Sequence, residues 1–460
     1  MRNQSHSQER FGDDVPTGTR SAPGVAGYRG SGLAVELLSR LFSRVPGTWL
    51  LRLWNGQTLR VGAQANAGNG AARDPNFTLV FRSPGAVTSA VLRRDPLSLA
   101  ESYFRGELDI EGDFFAALAL KDHLEALHLS AAQQLHALWT ALKLNAMNAG
   151  KRGVVSPSTR GNVVKAHSKA ENRAAIHFHY DLSNEFYALW LDRAMVYSCA
   201  YFQNPEQDLD SAQRAKLDHV CRKLLLRPGE LLLDVGCGWG ALVIHAAQHH
   251  GVRAHGITLS EKQLQVAQQR IAQAGLEDRV SVELRDYRDM PGEAVYDKVA
   301  SIGMFEHVGL KNLPTYFSTV HRLLKPRGLF LNHGITHQTE GWKRNISTEF
   351  INRYVFPDGQ LDTVSNVQSV MESADFEVDD VEALRAHYAL TLRHWVRRLE
   401  GNRSRALQFV SESTYRVWRL YMSACALQFE AGDIGVYQIL AGKRAPGNPA
   451  VPLTRRHLYT

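Results

Sequence analysis

The chain contains 460 residues, 44% hydrophobic and 22% charged, an ordinary globular composition with room for two or three domains. Its 53 lysine and arginine residues exceed its 46 aspartate and glutamate residues, and the net charge of +7 suits anionic surfaces, either lipid headgroups or nucleic acid, without selecting one. Four cysteines are too few for a disulfide scaffold, and a polar N-terminus with no run of about 20 apolar residues argues against a secretory signal and a membrane span, so we expect a cytoplasmic protein.

The first 148 residues predict a small α+β domain that follows a disordered tail. The tail is polar and spans residues 1–30, and apolar residues then recur at helical spacing over residues 33–45. The pair Asn55-Gly56 separates two strand-like runs, which is typical of a β-hairpin, and another strand is predicted over residues 77–81. The segment 85–144 is expected to be mainly helical, so residues 31–148 form one unit.

A basic segment, residues 149–170, joins this domain to the rest of the chain. It contains five lysine and arginine residues and no acidic residue, with glycine, serine and proline between them. Such a segment is either a solvated linker or a polybasic strip on an anionic bilayer, where each cation contributes about 1 kcal/mol. The residues alone leave both interpretations open.

From residue 171 onward, strand-like runs alternate with helical segments. Strands are predicted at 231–235, 252–258, 280–284, 296–302 and 328–332, with helices at 241–249 and 263–274. This alternation predicts a parallel sheet with helices on both faces. Residues 340–430 are expected to be helical, and a late strand is predicted at 436–440. The second domain therefore spans 171–443, and residues 444–460 form a C-terminal tail.

A glycine-rich loop follows the first of these strands. Gly236, Gly238 and Gly240 let the backbone approach a ligand closely at a strand-to-helix turn, so we predict a cofactor site. The spacing also fits a dinucleotide fingerprint. Two features favour S-adenosylmethionine: Asp234 can meet the amino-acid end of that cofactor, and no acidic residue stands where a nicotinamide enzyme holds its ribose.

Residues after the next strands complete this predicted site. Thr258 and Gln263 can hold ribose hydroxyls, and Tyr287, flanked by polar residues, suits an adenine ring. We assign no metal ligands, and Cys221 and Cys425 are each interpreted as a small buried hydrophobe.

Several segments resemble the cyclopropane-fatty-acyl-phospholipid synthase family, which includes the mycolic acid cyclopropane synthases. They are residues 179–184, 197–201, 234–240, 303–309, 333–335 and 387–392. Residues 104–113 resemble the smaller lipid-associated domain of that family with less force. The resemblance implies an α/β fold, namely a Rossmann-like sheet of S-adenosylmethionine-dependent methyltransferases, with a helical lipid-site insertion.

The resemblance implies transfer of a methylene from S-adenosylmethionine to the cis double bond of an unsaturated acyl chain in a membrane phospholipid. It places the cofactor against Tyr197, Ser198, Gly236, Gly238, Thr258, Gln263, Asp286, Tyr287 and Arg288. It also implies a bicarbonate ion held by Cys199, Glu306, His333, the Ile335 backbone and Tyr388. We expect the protein to lie peripherally on the anionic inner face of the membrane and to bind no nucleic acid. A homodimer is a possible oligomeric state.

The presence of all five bicarbonate positions favours ring closure. Methyl transfer to an alkene leaves a carbocation, and a fixed base in a water-poor site has to remove a proton before water reacts. A held anion meets that need, and Glu306 can lie beside it if the two share a proton. The chain departs from some relatives at Gly334, which alters the side chains beside the ion and leaves Ile335 in register.

Four other functions compete with this one. A nucleic-acid methyltransferase would carry an Asn-Pro-Pro-Tyr-type or Pro-Cys element near the fourth strand, which this sequence lacks. A fatty acid C-methyltransferase giving a methyl or methylene branch, or a small-molecule methyltransferase, would have the same sheet. A lipid carrier without activity is disfavoured by the intact loop 234–240.

Overall fold

The computed structural model describes residues 28–42, 45, 47–62, 75–93, 96–120, 130–148, 182–339, 354, 360–447 and 450–459. The predictions for residues 1–27, for the basic segment 149–170 and for the motif residues 179–181 lie outside these ranges. The described residues form two sheets, each packed with its own helices.

The N-terminal sheet has four strands in the order β2-β1-β3-β4. The strands are β1 (Trp49–Arg52), β2 (Thr58–Val61), β3 (Phe77–Phe81) and β4 (Leu108–Gly112), and the helices are α1 (Ser31–Phe42), α2 (Pro84–Arg93), α3 (Pro96–Phe104), α4 (Phe114–Leu118) and α5 (Ala131–Met147). β1 pairs antiparallel with β2, and Gly56 adopts a left-handed φ of +83° in the turn. The predicted hairpin at Asn55-Gly56 is therefore confirmed.

The prediction of a mainly helical segment 85–144 is wrong at β4. Three of the five residues of β4 are Asp109, Glu111 and Gly112, which are depleted in strands, so the sequence carries a weak strand signal there. The carboxylates have partners elsewhere in this domain: Arg52 of β1 pairs with Glu111 at 2.9 Å, and Arg82, the residue after β3, pairs with Asp109 at 2.9 Å. A local sequence pattern cannot predict ion pairs between residues so far apart in the chain.

The C-terminal sheet has seven strands in the order β10-β11-β9-β8-β5-β6-β7. They are β5 (Leu231–Val235), β6 (Arg253–Thr258), β7 (Val280–Leu284), β8 (Tyr296–Ile302), β9 (Leu324–His337), β10 (Phe376–Ala383) and β11 (Ile434–Lys443). β5 to β9 are parallel, which confirms the predicted parallel sheet, and β11 pairs antiparallel with β9 and β10.

Helices cover this sheet, and an aromatic cluster joins them. The helices are α6 (Asn184–Ala188), α7 (Leu209–Lys223), α8 (Ala241–His250), α9 (Glu261–Gln273), α10 (Leu313–Leu323), α11 (Val364–Ser373), α12 (Arg385–Gly401), α13 (Arg403–Ala406) and α14 (Glu412–Ala431). Trp190, Trp395 and Trp418 lie in one buried cluster with α6, α12 and α14 around it. Trp395 is thus a core residue.

The expected helical character of residues 340–430 is wrong at β10. The strand is acidic, with Asp380 and Glu382 among its eight residues, so its sequence gives a poor strand signal. The cations that pair with it come from elsewhere: Lys223 of α7 lies 2.6 Å from Glu382, and Arg455 near the C-terminus pairs with Asp380.

Two features concern the ends of the chain and the membrane. Ordered structure begins before residue 31, because Tyr28 packs edge-on against Trp54. In the predicted C-terminal tail, a 3-10 turn at Arg455–Leu458 buries Leu458. Within the described ranges, no helix combines the length and the apolar character that crossing a bilayer requires.

Candidate active site

A pocket opens at the carboxyl ends of β5 to β8, the edge at which open α/β sheets bind ligands. Ten of the eleven predicted cofactor residues line it: Tyr197, Ser198, Asp234, Gly236, Gly238, Thr258, Gln263, Asp286, Tyr287 and Arg288. The eleventh, Gly240, does not. It precedes α8 with φ of +83°, and a Cβ there would lie 3.2 Å from Cβ of Ala267, so Gly240 lets α8 and α9 pack closely.

The loop glycines shape the floor of the pocket. Gly236 and Gly238 both have left-handed φ values, +87° and +54°, which favour glycine. A Cβ on Gly236 would lie 3.1 Å from the Met304 side chain, whereas a Cβ on Gly238 would meet no atom within 4 Å. Gly238 therefore leaves open space where a ligand can approach the backbone.

Lys216 is a pocket residue that sequence analysis missed. It belongs to α7, is 1% exposed, and donates from Nζ to the Ser198 hydroxyl at 3.1 Å. Burial lowers the pKa of Lys216 to about 8, and the acidic groups of Asp192 and Asp234 oppose that fall. Burial raises the pKa of Asp234 to about 7, and Lys216 opposes that rise. The pocket thus holds a buried cation and a buried acid side by side.

A signal for Lys216 did exist in the sequence. It occupies the row Ala212, Lys216, Val220 at i, i+4, i+8, and all three side chains are buried in the fold. A lysine on the apolar row of an amphipathic helix is rare without a partner. His307 also lines the pocket, and burial lowers its pKa to about 4, so it is neutral at pH 7.

Several predicted cofactor residues bond to one another. Thr258 donates from Oγ1 to Oε1 of Gln263 at 2.7 Å. Arg288 makes a two-pronged ion pair with Asp286, at 2.8 and 2.6 Å, and Asp286 also caps the turn that carries Tyr287. Burial raises the pKa of Tyr287 to about 12, and its ring packs edge-on against Tyr316. These pairs fix the walls of the pocket.

The predicted bicarbonate residues begin next to this pocket. Glu306 follows the pocket residue Met304 and is buried. Its Oε1 accepts a hydrogen bond from the Ile335 N–H at 2.8 Å, and its Oε2 is buried with no hydrogen-bond partner among the described residues. Burial raises the pKa of Glu306 to about 7, although the bond from Ile335 opposes the rise. The carboxyl group can therefore carry a proton near neutral pH.

His333 lies two residues before Ile335 on β9, so both side chains point to the same face of the strand. It is 2% exposed, and its Nδ1 lies 3.2 Å from Nε2 of Gln438 on β11. Its Nε2 is buried without a hydrogen-bond partner among the described residues. Burial holds the pKa of His333 well below its usual value, so the imidazole is neutral.

Cys199 and Tyr388 both contact the backbone carbonyl of Leu384. The Cys199 thiol lies 3.8 Å from the Leu384 carbonyl, which also accepts the Tyr388 N–H at 3.1 Å. The Leu384 N–H donates to Val436, which is the Cα partner of Ile335 between β11 and β9. The Cys199 thiol, the backbone around Leu384, the pairing of β11 with β9 and the Glu306 carboxyl thus connect four of the five predicted residues, and His333 lies two residues from Ile335.

Gly334, the departure noted in the sequence, has a steric cause. A Cβ at Gly334 would lie 1.9 Å from the Phe305 ring and 3.2 Å from Oε1 of Glu306. The absence of a side chain at Gly334 thus allows Phe305 and Glu306 to lie against β9.

Comparisons with known proteins identify the family of the chain. Residues 167–439 match the family model described as mycolic acid cyclopropane synthetase. The chain is 40% identical over 416 residues to a probable fatty acid methyltransferase of Pseudomonas putida, with 89% of this chain and 95% of that protein covered. It is 40% identical over 263 residues to the cyclopropane-fatty-acyl-phospholipid synthase of Escherichia coli, with 57% of this chain and 66% of that protein covered.

A solved structure is similar over the same part of the chain. The mycolic acid cyclopropane synthase CmaA1, complexed with SAH and CTAB, matches with a TM-score of 0.56 and 36% sequence identity. The match covers 61% of this chain and 99% of that chain.

Proposed function

The chain belongs to the mycolic acid cyclopropane synthetase family and is an S-adenosylmethionine-dependent methyltransferase, and on this basis we propose that it is a cyclopropane-fatty-acyl-phospholipid synthase. The proposed reaction transfers a methylene from S-adenosylmethionine to the cis double bond of an unsaturated acyl chain in a membrane phospholipid. The observation that carries the proposal is the buried Glu306 carboxyl, bonded to the Ile335 backbone directly beside the pocket.

The pocket residues fit S-adenosylmethionine. The amino-acid end of that molecule has a carboxylate and an ammonium group, and Lys216 and Asp234 offer a charge of each sign at one end of the β5 loop. Gly238 leaves room for close backbone approach, and the Tyr287 ring offers an aromatic surface for the adenine. When bound, S-adenosylmethionine supplies an electrophilic methyl group to the double bond.

Ring closure requires loss of a proton from the added methyl group. The proposal assigns Cys199, Glu306, His333, Ile335 and Tyr388 to a bicarbonate ion, which would supply the base. Glu306 Oε2 and His333 Nε2 are buried and lack hydrogen-bond partners among the described residues, which suits a small polar ion between them. The Ile335 N–H already donates to Glu306, so an anion there would share that donor.

The raised pKa of Glu306 makes this assignment electrostatically reasonable. A carboxylate beside an anion would be repelled, whereas a carboxyl group with a pKa of about 7 keeps a proton that the two can share. His333 is neutral for the same reason of burial, so it adds no second charge.

The surrounding side chains exclude water. Tyr388 packs against Phe429 and Trp395, with ring centroids 4.8 and 6.0 Å away, and Cys199 lies in the same buried cluster. A dry site protects a cationic intermediate from reaction with solvent.

A methyl or methylene branch is the alternative product. The Pseudomonas putida relative is named a probable fatty acid methyltransferase, and such an enzyme would use the same pocket. The buried group around Glu306 favours a product that forms by proton loss from the added methyl, which is the ring or a methylene branch, over a saturated methyl branch, which needs a hydride donor.

The proposed membrane contact is a stripe on α5, defined as Leu135, Leu138, Trp139 and Leu142. These residues stand at i, i+3, i+4 and i+7, and Leu135 and Trp139 are 69% and 56% exposed. The helix has no acidic residue, and Nζ of Lys143 lies 4.9 Å from the Trp139 ring centroid. An apolar stripe flanked by a cation suits an anionic phospholipid surface, so we place the protein peripherally on the inner face of the membrane.

Product analysis tests the function. The full-length protein, S-adenosylmethionine and vesicles of unsaturated phospholipid should yield acyl chains heavier by one methylene, with the double bond lost. Gas chromatography with mass spectrometry distinguishes a cyclopropane fatty acid from a methyl-branched fatty acid by retention time and by mass. Cofactor turnover that leaves the vesicle lipids unchanged would overturn the phospholipid assignment, and branched chains would favour the alternative.

A further inference from the structure

A cysteine and two histidines converge on the side of the sheet domain away from the cofactor pocket. Cys221 belongs to the last turn of α7, and His245 and His250 belong to α8. One ligand atom from each, the thiol sulfur or an imidazole nitrogen, lies within 4.8 Å of the others. The sequence analysis interpreted Cys221 as a small buried hydrophobe and assigned no role to the two histidines.

The cluster lies at the amino edge of the parallel strands. The Cys221 carbonyl accepts the Leu226 N–H in the turn that leads to β5, and Gly251, which ends α8, accepts the Gly229 N–H with its carbonyl. Both helices therefore end beside the starts of β5 and β6, whereas the cofactor pocket lies at the opposite ends of those strands. The cluster and the pocket are distinct sites.

We propose that Cys221, His245 and His250 form a binding site for a divalent transition-metal ion of the zinc type. Thiolate and imidazole are the donors that Zn²⁺ takes in protein sites. Tetrahedral coordination with Zn–S and Zn–N bonds of ordinary length puts donor atoms about 3.3–3.6 Å apart. The present spread of up to 4.8 Å exceeds that value by little more than 1 Å, a difference of the size that rotation about side-chain bonds can remove.

The surroundings supply what such a site needs around its ligands. Asp218, one turn before Cys221, lies 2.8 Å from Nε2 of His245, which leaves Nδ1 of that ring for the metal. A carboxylate behind a metal-bound histidine orients the ring and raises its basicity. A divalent ion, the Cys221 thiolate and the Asp218 carboxylate, whose side chain is 44% exposed, sum to zero charge.

The exposure of the three ligand residues allows a metal ion to enter the site. Cys221 is 0% exposed and His245 is buried, whereas His250 is half-buried at the end of its helix. An ion can therefore arrive from the His250 side, where solvent or the neighbouring His249, whose ring lies 4.5 Å from that of His245, offers a fourth ligand. A bound ion would tie the end of α7 to the end of α8.

Metal analysis of the full-length protein tests the site. After loading with zinc and exhaustive dialysis, wild type should retain one zinc ion per chain, and loading with Co²⁺ should give a near-ultraviolet thiolate-to-cobalt charge-transfer band. H250A changes a half-buried helix end and should fold, yet it should lose at least tenfold in zinc affinity. C221S should lose the charge-transfer band. Zinc should raise the melting temperature of wild type and leave that of H250A unchanged.

A matched cysteine elsewhere controls for non-specific thiol binding. Cys425 on α14 is also buried, and C425S should keep both the zinc and the cobalt band. Wild type that retains no zinc after dialysis would overturn the proposal. So would H250A and C221S that bind zinc as tightly as wild type, or a cobalt band that C425S rather than C221S removes.

Discussion

The ammonium group of Lys216 lies 3.1 Å from the Ser198 hydroxyl inside the protein, on a wall of the pocket that Asp234 also lines. If Lys216 holds the carboxylate of S-adenosylmethionine, K216M removes a charge-assisted hydrogen bond worth about 1.5–3 kcal/mol. We expect the affinity for S-adenosylmethionine to fall about 10- to 100-fold, measured by calorimetric titration. The affinity for 5′-methylthioadenosine, which has no carboxylate, should not change.

Lys298 provides the matched control for that variant. It is also buried, at the start of β8, but it does not line the pocket. K298M should leave both affinities unchanged. Equal losses for the two ligands in K216M would contradict carboxylate binding and would assign Lys216 to the support of the fold.

The Glu306 carboxyl predicts an unusual pH dependence of stability. Its folded-state pKa of about 7 exceeds the ordinary value of 4.5, so its protonated form favours folding and this benefit is lost as pH rises from about 4.5 through 7. E306Q removes the ionisation. We expect E306Q to be more stable than wild type at pH 8, by roughly 2–3 kcal/mol, and equally stable near pH 4.5, as measured by thermal unfolding.

Glu382 gives the opposite sign and serves as the control. Burial opposes its ionisation, but the His219 bond and the Lys223 charge outweigh burial and lower its pKa to about 2. Its ionised form stabilises the fold above about pH 4.5, so E382Q should lower the melting temperature at pH 8. If E306Q also lowers the melting temperature at pH 8, ionisation of the buried Glu306 carboxyl does not destabilise the fold, and the prediction is contradicted.

At the residue scale, sequence analysis led to the pocket where a motif fixes the backbone, and it missed a residue whose burial comes from distant elements. The glycine loop and the family segments contain many of the residues that line the pocket. Lys216 was missed because its neighbours, Ser198 and Asp234, come from other segments that only the fold brings to α7. The roles assigned to Cys199 and Tyr388 stay predictions.

At the scale of elements, the contact of β9 with the turn after β8 depends on Gly334. In G334A the new methyl would overlap the Phe305 ring, which must move and carry Glu306 with it. Overpacking of this kind costs about 1–3 kcal/mol, so we expect a lower melting temperature and a turnover reduced at least tenfold.

Gly442 on β11 is the matched control for G334A. A Cβ there would lie 3.2 Å from a carboxylate oxygen of Asp379, the mobile end of a side chain, so G442A should fold and turn over like wild type. If G334A turns over as fast as wild type, the contact between Glu306 and Ile335 is not required for catalysis.

The elements that sequence analysis missed share one physical cause. β4 and β10 are acidic strands, and their carboxylates pair with Arg52, Arg82, Lys223 and Arg455, which lie far away in the chain. Aspartate and glutamate have low strand propensity, so the local sequence argues against a strand. The ion pairs with distant residues stabilise the strand in the fold. The buried strands β5 to β8, which carry their own apolar signal, were predicted within one residue at each end.

At the scale of the whole molecule, Arg416 of α14 connects the two domains. It is buried, donates to the carbonyls of Tyr103 and Leu108, and pairs with Asp109 at 3.1 Å. R416M leaves these acceptors without their cation, at a cost of about 2–3 kcal/mol. We expect calorimetry to show two separated unfolding transitions, with cofactor affinity unchanged.

Arg403 gives a control within one domain. It pairs with Glu412 at 2.6 Å on the surface, so R403M should leave the unfolding profile of wild type intact. An unchanged profile in R416M would mean that other contacts hold the domains together. No local pattern could have predicted this connection, because its partners lie about 300 residues apart in the chain.

The α5 stripe decides how the whole molecule meets its substrate. Burying even part of Leu138 and Trp139 in a bilayer contributes at least about 1.4 kcal/mol. The double variant Leu138→Gln with Trp139→Gln should therefore bind anionic phospholipid vesicles about tenfold more weakly in sedimentation assays, while its cofactor affinity is unchanged. Leu453→Gln alters a leucine that is 97% exposed and outside the stripe, and it should bind like wild type.

Salt separates this contact from the basic segment 149–170. Attraction of the basic segment to lipid is screened as ionic strength rises, whereas burial of the stripe is not. The loss caused by the double variant should therefore persist in high salt. If the double variant binds like wild type at low salt and all binding disappears at high salt, the basic segment alone makes the contact and the stripe has another role.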